Sequence, residues 1–275
     1  MVPTLPAVPD EIRLDHLAVA AEDAWDLLDR YRGDLGGEFF MGATDPGFHW
    51  SQIRYPGGIC IEMLEPDPGH EFDFLRRFLD RNGPGPHHFT FKVPDIGDAI
   101  GRADAAGYPT ASQNLDGDEW KEAFLHPRDS YGIVIQFMWT SVEEMQTLPP
   151  EAMTPARAKR PARLNEVVHL VADLDGALGL FERTLGGERC DESDARLGKT
   201  VGLCWPGGGR ISLVEPIDSA AQAWMGTRPG RVHHVDFSIT DPGRVRGARP
   251  RGDGTYVVLP EDNLGTRLLL RPLSD

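Results

Sequence analysis

Cysteine, long apolar runs and positive charge are all scarce in this chain, and each scarcity excludes a class of protein. The three cysteines, Cys60, Cys190 and Cys204, are odd in number and scattered, which predicts a reducing compartment without a disulfide framework or a cysteine-type zinc site. No apolar run approaches the roughly 20 residues that a membrane-spanning helix needs. The 28 basic residues stand against 43 acidic ones, for a net charge of -15, so nucleic acids and anionic membranes are poor partners.

These exclusions leave a small molecule as the expected partner. The N-terminal stretch Met1–Asp10 is proline-rich and acidic rather than signal-like, so we expect a cytoplasmic protein. With 275 residues, of which 40% are hydrophobic, the chain is long enough to bury two ordinary cores.

Internal repetition is the most informative feature present. Residues 12–64 have the pattern of a strand, a helix and three strands, and this βαβββ order returns three more times. The fourth copy is eroded, because its helix over 244–249 is short and is interrupted by Pro250. Each copy opens on a strand that carries a histidine, and we expect the four to lie at equivalent places: His16, His88, His169 and His234.

A change in composition divides the chain into halves. Residues 140–163 contain several prolines and a basic cluster and show no sustained apolar period. We therefore predict one domain over 1–139, a linker over 140–163 and a second domain over 164–275, each domain with two βαβββ units.

Three local motifs make the chain resemble the vicinal oxygen chelate superfamily, which includes glyoxalases, bleomycin-resistance proteins and extradiol dioxygenases. The motifs are Leu14–His16, His87–Ile96 and Phe124–Gln136, and in the N-terminal half they are most similar to methylmalonyl-CoA epimerase. The resemblance implies an α+β fold, in which the four βαβββ units pair into two half-open mixed β-barrels with the helices outside. It also implies one divalent metal ion, held by the first and last strands of each unit, on His16, Glu62, His88 and Gln136.

The chemistry of those four residues supports the same prediction. Two imidazoles with oxygen donors suit Fe, Co, Ni, Zn or Mn and leave positions open for a bidentate substrate. Glu62 and Gln136 each stand inside an otherwise apolar strand, where a polar side chain must be ligated or hydrogen-bonded. Any one of these histidines alone would more often be a hydrogen-bonded core residue than a ligand.

The second half departs from this pattern. Matching its closing strands to those of the first half places Ser212 where Glu62 stands and Leu269 where Gln136 stands. His169 and His234 would remain without an anionic donor, which makes a poor divalent site. We therefore predict that the second half is a structural partner or a wall of the substrate pocket.

The expected chemistry depends on which residue can move a proton. Gln136 cannot accept one, which leaves Glu62 as the only acidic residue of the predicted shell and as the catalytic base. The strand His49–Gln52 lacks the second carboxylate expected of an epimerase, so a one-base isomerase or lyase acting on a carbonyl compound is favoured. Trp50, Trp120, Phe137 and Met138 are candidates for an apolar substrate pocket, although each could equally be a core residue.

Two other functions remain open. One is a non-haem Fe(II) dioxygenase that uses His16, His88 and Glu62, with Gln136 as a weak fourth donor. The other is a metal-free small-molecule-binding protein of the resistance type. In each case we expect a monomeric pseudo-dimer or a homodimer.

Overall fold

The computed structural model describes residues 12–67, 69–71, 74–141, 155–190 and 196–273. They form two eight-stranded mixed sheets. In each sheet the opening strands of two units lie side by side at the centre, and each unit continues outward with its fourth, third and second strands. The two sheets repeat one topology and neither closes on itself, which confirms the predicted α+β class with four βαβββ units. Residues 142–154 of the predicted linker lie outside the described residues, and the domain boundaries stay a prediction.

The first unit begins with a strand whose apolar residues are almost all buried. Its helix starts at Asp23, whose carboxylate accepts a hydrogen bond from the Trp25 amide at 2.8 Å, and it continues as a π-helical segment over Asp29–Asp34. The elements of this unit are β1 (Arg13–Ala20), α1 (Ala24–Leu28), β2 (Glu38–Asp45), β3 (Phe48–Arg54) and β4 (Cys60–Pro66).

An additional helix, α2 (Phe74–Asn82), separates the first unit from the second. The βαβββ repeat does not predict this helix. The helix of the second unit begins at Asp95, whose side chain accepts a hydrogen bond from the Asp98 amide. The elements of the second unit are β5 (Gly85–Lys92), α3 (Ile96–Ala105), β6 (Thr110–Asn114), β7 (Trp120–Leu125) and β8 (Val134–Thr140).

The third unit repeats the first, including a π-helical segment over Gly179–Thr184 after its helix. In the fourth unit the helix expected over 244–249 is replaced by a 3-10 turn at Pro242–Arg244, and Pro250 stands in a short strand instead. The elements are β9 (Arg163–Val171), α4 (Leu174–Leu178), β10 (Glu188–Cys190), β11 (Gly198–Cys204), β12 (Arg210–Pro216), α5 (Ser219–Met225), β13 (Gly230–Ile239), β14 (Arg249–Pro250), β15 (Tyr256–Val258) and β16 (Leu268–Pro272).

The prediction that no cysteine forms a disulfide is wrong for two of the three. Cys190 and Cys204 form a disulfide, with their Cα atoms 6.0 Å apart. Their strands pair antiparallel, with Glu188 opposite Cys204 and Cys190 opposite Gly202, so the two cysteines lie diagonally across the ladder. Spacing along the chain did not reveal this pairing, because the ladder joins residues 14 positions apart.

The four units cluster into two compact bodies, one with the first and fourth units and one with the second and third. In the first body Arg30 is buried, at 2% exposure, and donates hydrogen bonds to Asn263 and to the carbonyls of Arg246 and Asp262. A buried guanidinium costs free energy unless its donors are satisfied, so these bonds define how the π-helical segment after α1 packs against the fourth unit.

In the second body the turn before β8 packs directly against β13. A side chain at Gly132, whose φ is +84°, would fall on the carbonyl oxygen of Gly230, so only glycine allows this contact. In the core of the same body, the ring of His169 meets Phe89 edge to face and lies tilted against Phe181. No helix among the described residues is long and apolar enough to cross a membrane.

Candidate metal centre

His16 and Glu62 lie on neighbouring parallel strands and point to the same side of the first sheet. In the register of β1 and β4, His16 is opposite Cys60 and Ala18 is opposite Glu62, which places both functional side chains on one face. Nε2 of His16 and Oε2 of Glu62 are 3.3 Å apart, and both residues are buried, at 2% and 7% exposure. An imidazole and a carboxylate are therefore held together away from water.

Gln52 contacts both of these side chains. It lies on β3 directly opposite Glu62, and its Nε2 atom is 3.2 Å from Nδ1 of His16 and donates to Oε1 of Glu62 at 3.1 Å. In the sequence, Gln52 is notable only because a carboxylate is missing from its strand. Its position between the two ligands follows from cross-strand pairing, which alternation along one strand does not reveal.

His88 completes the group. Among the described residues, His16, Glu62 and His88 form the one cluster of at least three His, Cys, Asp or Glu residues that could hold a metal ion. Each offers one ligand atom, these atoms all lie within 4.8 Å of one another, and all three residues are buried. Two imidazoles and one carboxylate fit a divalent transition metal, since three protein ligands leave positions for water or substrate.

Gln136, the fourth predicted ligand, takes part in a chain of hydrogen bonds that joins β5, β7 and β8. Its Oε1 accepts from the Thr90 hydroxyl at 2.5 Å, and its Nε2 donates to Oε2 of Glu122 at 2.8 Å. Thr90 is directly opposite Gln136, and His88 stands two positions earlier on the same strand, so these side chains share the face of His88. Whether Gln136 is a ligand stays a prediction.

Glu122 is a second acidic side chain that is hydrogen-bonded to a predicted ligand. It accepts from Nε2 of Gln136 and also from Nε1 of Trp120 at 3.2 Å. Alternation on β7 places Glu122 on the same face as Gln136, since Phe124 is opposite Gln136. Only the pairing of β7 with β8 identifies it.

The four predicted substrate residues lie in different environments. Trp50 is half-buried on the face of Glu62, and its Nε1 donates to Asp45 at 2.8 Å. Trp120 is half-buried beside Glu122, and Met138 is buried two positions after Gln136 on the same face. Phe137 is 1% exposed and alternates onto the opposite face from Gln136. The roles of all four stay predictions.

The second half shows that the four histidines are not equivalent. Val168 is opposite Ser212 as Ala18 is opposite Glu62, so the position of His16 is taken by Glu166, two residues before Val168. His169 follows Val168 and therefore points to the other face. The expected equivalence of His169 with His16 is wrong, because a single-residue difference in strand register exchanges the two faces.

His169 has a structural environment instead. Its ring is fully buried, its Nε2 bonds the carbonyl of Tyr131 at 2.8 Å, and burial lowers its pKa from 6.5 to about 4. The imidazole is therefore neutral, and its Nε2–H donates to the Tyr131 carbonyl. This bond stabilises the backbone of Tyr131, whose φ of 57° is unusual for a residue other than glycine.

His234 does keep the place of His88. Asp236 is opposite Leu269, just as Thr90 is opposite Gln136 in the first half, and His234 and His88 each stand two residues earlier. The positions of His16, Glu62, His88 and Gln136 are therefore occupied in the second half by Glu166, Ser212, His234 and Leu269. Asp236 is buried and accepts from Nε of Arg271 at 2.7 Å, which places a guanidinium on this strand pair.

Comparison with known proteins assigns the class. Residues 15–124 match the model of the Glyoxalase/Bleomycin resistance protein/Dioxygenase superfamily. Ethylmalonyl-CoA/methylmalonyl-CoA epimerase of Cereibacter sphaeroides is 30% identical to this chain over 130 residues, which cover 45% of this chain and 95% of that protein. The chain belongs to the glyoxalase, bleomycin resistance protein and dioxygenase superfamily.

Two solved structures extend the comparison. A variant of 4-hydroxymandelate synthase from Streptomyces coelicolor covers 96% of this chain and 94% of its own, with a TM-score of 0.63 and 13% identity, and so shares the fold. A variant of methylmalonyl-CoA epimerase from Streptomyces coelicolor, in complex with 2-nitronate-propionyl-CoA, covers 48% of this chain and 100% of its own, with a TM-score of 0.43 and 22% identity.

Proposed function

We propose that the protein is a divalent-metal-dependent isomerase, epimerase or lyase that acts on a small molecule with a carbonyl group and a neighbouring oxygen. The observation that carries this proposal is the buried group of His16, Glu62 and His88. Fe, Co, Ni, Zn or Mn suits its donors, and Gln136 is proposed as a fourth ligand. A cytoplasmic location and a monomeric or homodimeric state remain predictions from the sequence.

The bound cation would supply Lewis acidity to a carbonyl oxygen, which makes the adjacent C–H bond more acidic. Glu62 is proposed to accept that proton, acting in turn as ligand and base. Gln52 supports this role, because its donation to Oε1 of Glu62 leaves Oε2 as the oxygen near His16. Burial of Glu62 also limits the access of water to its carboxylate.

Glu122 widens the set of reactions that the residues can perform. The sequence suggested one-base chemistry, whereas Glu122 adds a second carboxylate beside Gln136. Epimerisation needs a proton removed on one side of a carbon and returned on the other, so a second carboxylate favours that reaction. A malonyl-type CoA thioester is one specific candidate substrate, supported by the named activity of the Cereibacter relative.

Deuterium incorporation tests this proposal. Protein loaded with Co²⁺ is incubated in D₂O with methylmalonyl-CoA or ethylmalonyl-CoA, and exchange at the carbon next to the thioester is followed by mass spectrometry. We expect Glu62→Gln to reduce exchange by roughly 10²- to 10⁴-fold when both proteins are compared at saturating Co²⁺, which separates loss of the base from loss of a ligand. Glu38→Gln, at an exposed position on edge strand β2, is the matched control.

Full exchange in Glu62→Gln would contradict the role of Glu62. If the wild-type protein exchanges neither thioester, the thioester candidate is overturned. The same assay on Glu122→Gln separates the two carboxylates, because a one-base reaction is expected to keep most of its exchange rate without Glu122.

An Fe(II) dioxygenase is the second candidate function. The observation in its favour is that the group consists of two histidines and one carboxylate, the set used by non-haem Fe(II) oxygenases. Oxygen consumption that requires Fe(II) and a catechol-type probe, and that is absent with Zn²⁺, would support it. Exchange in D₂O without oxygen consumption would contradict it.

A further inference from the structure

Helix α2 covers the face of the first sheet that carries His16 and Glu62. Ala18 and Ala20 share the face of His16, and Leu64 shares the face of Glu62 and is opposite Ala20. Buried Leu75 and Leu79 of α2 pack into one apolar cluster with these three residues. The two alanines leave room for the helix, which therefore lies beside the ligands rather than on the outer face.

Four aromatic rings surround this contact, and we name them the aromatic wall: Phe48, Trp50, Phe74 and Phe78. They pack against the cluster and are only partly buried. Phe74 and Phe78 also meet the ring of His87 edge to face, with centroids 6.0 and 4.6 Å apart. Trp50 is opposite Leu64 and Phe48 is opposite Pro66, which continues the face of Glu62 along β3. Phe48 and Phe74 meet edge to face with centroids 5.3 Å apart.

The distance along the strands sets the size of a group that could contact both regions. Trp50 of the aromatic wall is opposite Leu64, which is two residues beyond Glu62. A strand rises about 3.3 Å per residue, so the wall begins about 7 Å from Glu62 along the strands. A phenyl ring attached directly to the oxygen-bearing carbon spans that distance. Arg77, Asp80 and Arg81 of α2 are exposed, and Arg76 is half-buried and forms an ion pair with Glu22.

We propose that the aromatic wall binds an uncharged apolar group of the substrate, of about phenyl size, next to the oxygen atoms bound at the metal centre. This inference rests on the proposed oxygen-chelating function and adds the substrate class. Aromatic side chains supply a large apolar contact area and prefer edge-to-face partners, which matches a planar hydrocarbon ring. Phe74 and Phe78 would be specificity-determining residues, because they lie on α2 and not on the strands that carry His16, Glu62 and His88.

Two chelating probes that differ only in one ring test the proposal. Protein loaded with Co²⁺ is titrated calorimetrically with benzoylformate and with glyoxylate, which share the 2-oxo acid group. We expect benzoylformate to bind about 10- to 100-fold more tightly, from burial of the ring. In Phe74→Ala and Phe78→Ala this ratio should fall below about threefold, while glyoxylate and Co²⁺ affinities stay unchanged.

Phe40→Ala is the matched control, because Phe40 is half-buried under the Arg54 guanidinium and lies outside the cluster. Phe74→Leu keeps the core filled and should show an intermediate ratio if the alanine variants do not fold. Equal binding of both probes by the wild type would overturn this inference and leave the chelating function standing. Failure of both probes to bind the Co²⁺ protein would overturn the chelating function and this inference with it.

Discussion

Replacing Gln52 should weaken metal binding although Gln52 is not a ligand. The amide of Gln52 lies between the two side chains, 3.2 Å from Nδ1 of His16 and 3.1 Å from Oε1 of Glu62. In Gln52→Ala both atoms lose this partner in a buried site, and the side chains lose the contact that orients them.

The magnitude follows from the role of Gln52 in orienting the two side chains. Each of its contacts contributes about 0.5–1.5 kcal/mol to holding His16 and Glu62 in place. Loss of a residue that orients metal ligands commonly costs about 10- to 100-fold in metal affinity. We therefore expect the Zn²⁺ dissociation constant of Gln52→Ala to rise by about 10- to 100-fold.

Competition with a chromophoric chelator measures the effect. Gln113→Ala is the matched control, because Gln113 is exposed on edge strand β6. Circular dichroism and thermal melting establish that both variants are folded. A dissociation constant for folded Gln52→Ala within twofold of the wild type would refute the reasoning, because the amide would then not orient the ligands.

Two further predictions concern stability. Because burial holds the pKa of His169 at about 4, against 6.5 when unfolded, the unfolded chain binds a proton between these values and the folded protein does not. Stability should thus fall as the pH drops from 6.5 to 4, by up to about 3 kcal/mol from this group, and His169→Phe should lose that part of the pH dependence in urea unfolding. Cys190→Ser should lower the free energy of unfolding by about 2–4 kcal/mol, since the disulfide with Cys204 closes a loop over 14 positions. Two titratable thiols at these positions in the folded wild-type protein would contradict the second prediction.

Repetition along the chain was enough to predict the fold class. Each βαβββ unit carries its own alternation of apolar residues, so the order of strands and helices follows from local pattern. Helix α2 was missed because it lies between units, where the repeat predicts only a connection. Its Leu75 and Leu79 have helical spacing, but their contact with Ala18 and Leu64 depends on tertiary packing.

The candidate site was predicted only as far as each strand could be interpreted alone. Glu62 can be recognised in the sequence because it interrupts an apolar strand. The contacts of Gln52 with Glu62 and of Glu122 with Gln136 depend on how neighbouring strands pair. His169 was misplaced because Val167–Ala172 contains no second polar residue to mark a face. Only the pairing of β9 with β12 sets its register, and such pairing is invisible in one sequence without an alignment.

The most direct test of the metal centre is a crystal structure of the protein purified without chelators, with anomalous data collected at the absorption edge of the metal found by elemental analysis. We predict one divalent transition-metal ion per chain, with His16, Glu62 and His88 as ligands. An anomalous peak at any other position, or a substoichiometric metal content with no peak between these three residues, would contradict the account.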